Sequence, residues 1–576
     1  MSANAGTLNN AAGLNHAEGH PRGLYVLFAT EMWERFSFYS MLALFTLYLR
    51  DPTEGFGWTA AEATSLYSNY LMFVYASPLI GGLIADKVTG YRKAVMIGGF
   101  FFMAGHGLLS IPALWAVYLA LTCLVIGNGF FKPNVSTMVG NLYPEGSHLK
   151  DRAYNIFYMG INVGAFLAPI VMEIVRQNFG FHPAFAVAAF GMVLSVGILW
   201  YFKGEVLAAD KKHEDRKLGA ISDPQQAADT AATATDAPPH GISDQDDAGH
   251  SKGSGGDAGR SAQMSAVPNW KRVMALIVIF IIVIVFWMVF HQNGSTLTYF
   301  ADDNTDWNVT GTISNSINAF WVLTLTFPLV WFWGWLDRRG KEPSTPTKMA
   351  FGMTLTGLSF LVLWYGATIG ENMTKSADQL AAGEFRINER VLTNLGNAGV
   401  SQDVLNRIQN AKVPDGGTTI VQDCPPGETC KNSVFGVKFA AKDGTSGEQQ
   451  LIAAVNAAAP GAGDANRAAI LQNSYLFRVS PFWLVLAYAI VTLGELMLSP
   501  MGLSLVSKVA PINIRGLMMG GWFVATAIGN KLTQIGIYWD IWLQSTFFLV
   551  LALMALFMAV VLAVLLKPLK KAMPGV

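Results

Sequence analysis

The sequence is poor in charge. Only 14% of its 576 residues are Asp, Glu, Lys or Arg, against about 25% in soluble domains, which excludes an ordinary water-exposed surface over most of the chain. It has no excess of either sign, with 39 Lys and Arg against 39 Asp and Glu, so it lacks the basic field that nucleic acid requires. The three cysteines are too few for a disulfide framework. The first twenty or so residues are polar with no apolar core, so a cleavable signal peptide is not expected. What is present is apolar: 52% hydrophobic residues and a mean hydropathy of +0.35, the composition of a polytopic membrane protein.

Apolar runs long enough to cross a hydrocarbon core fall near 24–49, 64–86, 94–112, 114–140, 153–176 and 183–203, then near 270–300, 311–336, 348–369, 480–507, 515–538 and 541–566. About twelve spans in two sets of six predict an all-α protein of two six-helix bundles. The implied organisation is a tail (1–22), a first bundle (23–203), a linker (204–268), helices 7–9 (269–369), an insert (370–479), and helices 10–12 with a short tail (480–576). The linker is rich in Ala, Asp, Gly, Ser, Thr and His with almost no aromatic residue, cannot bury a core, and is expected to be disordered.

Basic residues gather on one side: Lys87, Arg92 and Lys93, then Lys150 and Arg152, Arg338, Arg339 and Lys341, Lys508 and Arg515, and Lys567, Lys570 and Lys571. Opposite loops hold little beyond Arg50 and Arg176. The positive-inside rule makes the basic side cytoplasmic, with both termini and the linker inside and the insert outside. Within the insert, amphipathic patterns at 391–411 and 448–458 and β-like runs at 418–421 and 434–440 predict a small folded lobe. There Cys424 and Cys430 bracket Pro-Pro-Gly, leaving a disulfide and two free thiols both open.

Against this apolar background stands Glu31-Met-Trp-Glu34-Arg35-Phe-Ser-Phe-Tyr39, three charges inside the first span. A mid-membrane charge costs about 2.5–3.5 kcal/mol on insertion scales, so the segment should face protein or water. Glu31, Arg35 and Tyr39 repeat at i, i+4, i+8 on one face, with Glu34 one position off it. Lys132 interrupts the fourth span and Glu495 the tenth. Three acids against two bases leave one acid to take a proton or meet a cationic ligand. Arg35 and Lys132 lie in the first half and Glu495 in the second, so facing halves would oppose a positive and a negative pole. A zwitterion with separated amino and carboxylate groups fits between them, the arginine fork suiting the carboxylate. Tyr39, Tyr75, Tyr158, Asn162, Trp287, Asn318 and Trp522 are candidate cavity residues. No metal-ligand cluster or nucleophile–base spacing appears within the spans, so an enzyme is not expected and no cofactor is called for.

The halves echo each other in Asp86-Lys-Val-Thr-Gly90-Tyr-Arg92-Lys93 after the second span and Asp337-Arg338-Arg339-Gly340-Lys341 after the eighth. The pattern predicts a parallel-repeat transporter with its site between the halves. The first copy resembles the loop signature of the major facilitator superfamily, which implies that Asp86 and Asp337 latch helix ends on the basic side. The first-span motif resembles that of proton-dependent oligopeptide transporters. So do Phe131-Lys132-Pro133-Asn134, Phe157-Tyr158-x-x-Ile161-Asn162-x-Gly164, Gln292-Asn-Gly-Ser-Thr296 and Glu342-Pro-Ser-Thr-Pro-Thr-Lys348. That resemblance implies a major facilitator fold and proton-driven uptake of di- and tripeptides, with protons as the coupling ion and a monomer as the working unit in a bacterial inner membrane. It assigns Arg35, Lys132 and Tyr39 to the peptide carboxylate, and Glu495, Asn162 and Asn318 to the amino group. Tyr75, Tyr158 and Trp522 become walls, and Glu31, Glu34, Arg35 and Lys132 the coupling group. The sequence departs from the family at Phe38, Leu42 and His291, where a tyrosine, an arginine and an acid are usual; the last two would form an outer gate pair. His291 could instead titrate near neutral pH or sit neutral and hydrogen-bonded. The two extra linker helices of many bacterial relatives are also missing. A same-fold carrier of nitrate, histidine or drug-like anions, and a sensor using the outer lobe, are the competing readings.

Overall fold

The computed structural model of the protein describes residues 20–143, 149–210, 267–307, 311–414, 420–421, 430–431, 434–511 and 514–574. The first half comprises α1 (Arg22–Arg50), α2 (Ala60–Ile84), α3 (Tyr91–Leu108), α4 (Leu114–Asn141), α5 (Leu149–Phe179) and α6 (Phe181–Tyr201). The second begins with α7 (Asn269–Phe290), continued beyond a 3₁₀ turn by α8 (Thr296–Asp303), then α9 (Gly311–Asp337) and α10 (Thr345–Glu371). A lobe follows, with short helices α11 (Ala377–Ala381), α12 (Glu389–Asn397), α13 (Gln402–Asn410), α14 (Gly447–Ala458), α15 (Ala462–Ala465) and α16 (Arg467–Ser474). The chain ends in α17 (Pro481–Val509), α18 (Arg515–Leu532) and α19 (Gln544–Ala572).

Among the described residues, nine helical segments are long and apolar enough to cross a membrane. The long helices outside that group are α1, α3 and α18, and they bring the spans to the twelve that the hydropathy pattern predicts. In α1 the hydropathy is lowered by Glu31, Glu34 and Arg35, the same residues that mark it as functional.

Each half has its own apolar core. In the first, α1 packs on α5 and α6, α3 on α4 and α6, and α2 on α4; in the second, α10 packs on α17 and α19, and α7 on α18. The halves meet where α2 lies against α18 and α5 against α9. Lipid gives no hydrophobic reason for two helices to associate, so close approach depends on small residues. A Cβ built on Gly81 of α2 would stand 1.9 Å from the Gly129 carbonyl oxygen of α4. In the second half Gly352 of α10 and Gly494 of α17 face each other in the same way, at 2.7 Å.

Several expectations are corrected. The run at 270–300 is two helices, because the chain turns at His291–Gly294. Gln292 Nε2 donates there to the Met288 and Thr533 carbonyls at 3.2 and 3.1 Å, and the Tyr67 hydroxyl occupies the space a Cβ on Gly294 would need. Helix α18 stops at Leu532 and continues as a 3₁₀ turn, Thr533–Asp540. The amphipathic run at 391–411 breaks into α12 and α13, because Gly399 adopts φ +91° and Ser401 then caps α13. Residues 434–440 hold a 3₁₀ turn (Val434–Gly436) before a two-residue strand, and of the run at 418–421 only Ile420 and Val421 are described, Val421 bridging Lys412. The linker is ordered at its start: Asp210 Oδ1 accepts from the Arg92 backbone N–H at 3.1 Å, at the first turn of α3. Residues 211–266 and Cys424 lie outside the described residues, so the linker's disorder and the pairing of Cys424 with Cys430 lie outside them too.

The lobe buries Phe385, Val391, Leu395, Ile408, Phe439, Leu451 and Val455 around two short antiparallel pairs, β1 (Phe385–Arg386) with β4 (Lys438–Phe439) and β2 (Val413–Pro414) with β3 (Cys430–Lys431). Asn388, Ser401 and Ser446 cap its main helices.

The glycine contact between α2 and α4 is testable. Gly81→Val should lower the melting temperature of the purified protein, overpacking typically costing about 1–3 kcal/mol. Gly107→Ala, where the added Cβ meets nothing within 4 Å, should leave the melting temperature near that of the parent.

Candidate functional site: a buried charge cluster beside a central cavity

Helix α1 brings Glu31, Glu34 and Arg35 together in the interior of the first half. Arg35 Nε lies 2.9 Å from Glu31 Oε1 and 2.5 Å from Glu34 Oε2, and its Nη2 donates to Glu34 Oε1 at 3.0 Å. All three residues are at most 1% exposed. The i, i+4 spacing makes the Glu31 contact, whereas Glu34 reaches the guanidinium from the adjacent position. Arg35 also sits 5.0 Å from the Phe38 ring centroid. Lys132 of α4 is buried, with Nζ 5.2 Å from the Tyr75 ring.

A narrow cavity lies between the halves. From the first come Phe38, Tyr39, Leu42, Tyr75, Tyr158 and Asn162; from the second come Trp287, His291, Asn318 and Glu495. Among the described residues Glu495 of α17 is the one carboxylate lining it, and Asn318 Nδ2 bridges Glu495 Oε2 at 3.1 Å and Thr492 Oγ1 at 2.9 Å. His291 stacks on Trp287 with centroids 5.1 Å apart and meets Tyr75 edge-on at 5.6 Å, a contact between the halves. Asn162 Nδ2 donates to the Tyr158 carbonyl of its own helix at 3.0 Å.

The predicted residues therefore fall into two groups. Glu495, Asn318, Asn162, Trp287 and the three tyrosines line the cavity. Glu31, Glu34, Arg35 and Lys132 do not; they lie behind Phe38 and Tyr75. Trp522 is also set back, fully buried between Phe280 and Gly502. Asp86 belongs to a π-turn, Ala85–Thr89, its side chain outside the described residues. Asp337 is exposed at the end of α9.

On the side of the molecule opposite the basic loops, the halves are closed over the cavity. Thr46 Oγ1 donates to the Gly294 carbonyl at 3.0 Å, the Ala60 N–H to Asp540 Oδ2 at 3.2 Å, and Lys531 Nζ to Asn69 Oδ1 at 2.5 Å. The Arg50 guanidinium lies 4.1 Å from the Tyr299 ring centroid. These contacts stand one and more turns beyond Leu42 and His291. The lobe docks on the same end: Arg386 Nη2 lies 3.0 Å from Asp303 Oδ1, Asn388 Nδ2 donates to Asp540 Oδ1 at 3.4 Å, and Arg390 Nη1 to Gln544 Oε1 at 3.0 Å. Sequence reasoning missed Asp303, Arg386 and Asp540 and took Arg50 as a loop residue. The available signal was a single arginine ending an otherwise apolar stretch of α1.

A sequence model of the POT family matches residues 92–395 and 450–538, well over half of the chain. The chain belongs to the POT family. Relatives of this POT-family transporter include an uncharacterised transporter of Bacillus subtilis (27% identical, covering 97% of this chain and 96% of the relative). A di-/tripeptide transporter of Lactococcus lactis subsp. cremoris is 26% identical, with 97% of each chain covered. Among solved structures, a crystal structure of a peptide transporter POT in complex with sulfate superposes with a TM-score of 0.66 at 25% identity, covering 97% of both chains. The protein is an integral membrane transporter of the major facilitator type.

Electrostatics of the lobe give a pH dependence. Burial alone would raise the Glu384 carboxyl, but its pairs with Lys438 (3.0 Å) and Arg478 (2.7 Å) outweigh that and hold it below the usual range. A lowered folded value stabilises above the ordinary glutamate pKa of about 4.3 and loses that stabilisation as pH falls through the folded value. Hydrogen-exchange protection at 385–387 and 437–439, corrected for intrinsic exchange rates, should be constant from neutral pH to about 5 and drop below 4. For the docking contact, Arg386→Ala leaves Asp303 buried with less compensation and should cost about 3–5 kcal/mol. Asp303→Asn in that background should recover part of the loss in thermal unfolding.

Proposed function

We propose that this protein is a proton-coupled symporter that imports di- and tripeptides by alternating access of its two halves. The observation that carries the reading is the split charge arrangement: a carboxylate facing the cavity from the second half, and an arginine held by two carboxylates in the first. Glu495, steadied by Asn318, presents a negative pole to a peptide amino group. The positive pole, Arg35 with Lys132, is engaged by Glu31 and Glu34. A proton taken up by either acid weakens that hold and lets a base turn to the peptide carboxylate. Protonation and peptide binding thereby favour the same state, which is what coupling requires. Tyr39, Tyr75, Tyr158 and Trp287 supply ring surface to the substrate without reading its sequence, so selection follows length and termini.

The scheme needs no cofactor or metal; protons are the coupling ion and one chain completes the site. The basic loops support a topology with both termini and the linker in the cytoplasm and the lobe on the extracytoplasmic side of a bacterial inner membrane. The Lactococcus relative's name, di-/tripeptide transporter, supports the substrate class.

Uptake of a labelled dipeptide into proteoliposomes should rise with an inward proton gradient; uptake indifferent to the gradient would sink the coupling. Dipeptides should compete with the labelled substrate and nitrate or histidine should not. Glu495→Gln removes a charge-assisted contact worth about 1.5–3 kcal/mol. It should weaken free-amino peptides by about tenfold or more and leave N-acetylated peptides little changed; equal loss for both would overturn the assignment of Glu495.

A further inference from the structure

A second concave feature lies outside the transport site, at the basic end of the first half. A groove of ≈ 400 Å³ runs between the start of α3 and the end of α6. Arg92, Lys93 and Lys203 stand at its mouth, and Ile97, Phe100 and Trp200 line it. Phe100 is 54% exposed and Trp200 62%, so this face is apolar and turned toward lipid. At the helical rise, Phe100 lies about 10 Å deeper along α3 than Lys93, which sets cations at headgroup level above an apolar slot. The two helices pack directly on each other, with Gly99 against Val196, so the groove has a solid floor.

Its charges are unequally used. Arg92 is committed to Asp210, with Nε 3.3 Å from Oδ2. Lys93 and Lys203 have no carboxylate partner among the described residues; Lys203 Nζ rests 5.7 Å from the Trp200 ring. Two uncompensated ammonium groups over an apolar slot, where a bilayer meets water, match a ligand with a phosphate at one end and an acyl chain at the other.

We propose that the α3–α6 groove is a binding site for one anionic phospholipid. Lys93 and Lys203 flank its phosphate, and an acyl chain lies along Ile97, Phe100 and Trp200. A zwitterionic lipid fills the same slot, but its own cation neutralises its phosphate and leaves the two ammonium charges uncompensated. Each lysine near an anionic surface favours negative lipid by about 1 kcal/mol, so the pair amounts to a preference of roughly tenfold or more. The inference rests on the membrane location of the helices and is independent of what the protein carries.

The test uses the full chain in detergent micelles with added phosphatidylglycerol or phosphatidylcholine, each with a photoactivatable group on one acyl chain. Labelled peptides are then mapped by mass spectrometry. The expected result is roughly tenfold more label from phosphatidylglycerol on the segments around 93–100 and 199–203, and loss of that excess in Lys93→Gln/Lys203→Gln. Ile97→Trp, which fills the slot and keeps the charges, should reduce label from both lipids. Lys567→Gln/Lys570→Gln, on the other half, should change neither. Equal labelling by the two lipids, or an excess that survives the Lys93/Lys203 double variant, would overturn the proposal. A misfolded double variant leaves the wild-type lipid comparison and the Ile97→Trp variant to decide it.

Discussion

Everything else in the molecule is arranged around a guanidinium buried between two carboxylates. Arg35 with Glu31 and Glu34 has no access to bulk water, and removing one partner of a buried pair typically costs about 3–5 kcal/mol. Two acids contact Arg35, and Lys132 is the next base to hand. Such a cluster is stable in more than one protonation state only if a neighbour can change its pairing. That makes it suited to coupling a proton to a distant event, because adding a proton shifts which group holds Arg35. A hydrophobic replacement would make a firmer core and abolish the response.

The outer closure follows a different rule. Between the halves it uses single hydrogen bonds such as Thr46 to Gly294, worth about 0.5–1.5 kcal/mol net, and the cation–π contact of Arg50 over Tyr299, worth about 2 kcal/mol when desolvated. A surface that opens in every cycle has to be made of contacts of this size. The lobe, by contrast, is fixed to the second half through Arg386 and Asp303, and it meets the first half where Gly436 lies against Gly57. It rides with one half and rests lightly on the other. Asp540 belongs to both systems, accepting from Ala60 across the halves and from Asn388 of the lobe.

The fold was legible because lipid imposes a simple code: long apolar runs for spans and basic loops for one side. The helix count is recoverable in this way, even for α1, whose charges lower its hydropathy. The break at His291–Gly294 was not, since it depends on Tyr67 and Thr46 arriving from the other half. The charged residues of the candidate site announced themselves by their cost in a membrane. Their depth did not: nothing in the spacing of Arg35 and Lys132 says that they stand behind Phe38 and Tyr75 while Glu495 reaches the cavity. The outer contacts were hidden for the opposite reason, since Arg50, Asp303 and Asp540 lie at helix ends where charge is ordinary.

On the proposed mechanism a peptide and a proton cross together. The most direct measurement is the lumenal pH of proteoliposomes holding a trapped pH indicator and no imposed gradient, followed as a dipeptide is added outside. The account predicts prompt lumenal acidification that is stronger for a free-amino dipeptide than for its N-acetylated form and is lost when both acids are removed, in Glu31→Gln/Glu34→Gln. Dipeptide entering the lumen with no accompanying acidification would contradict it.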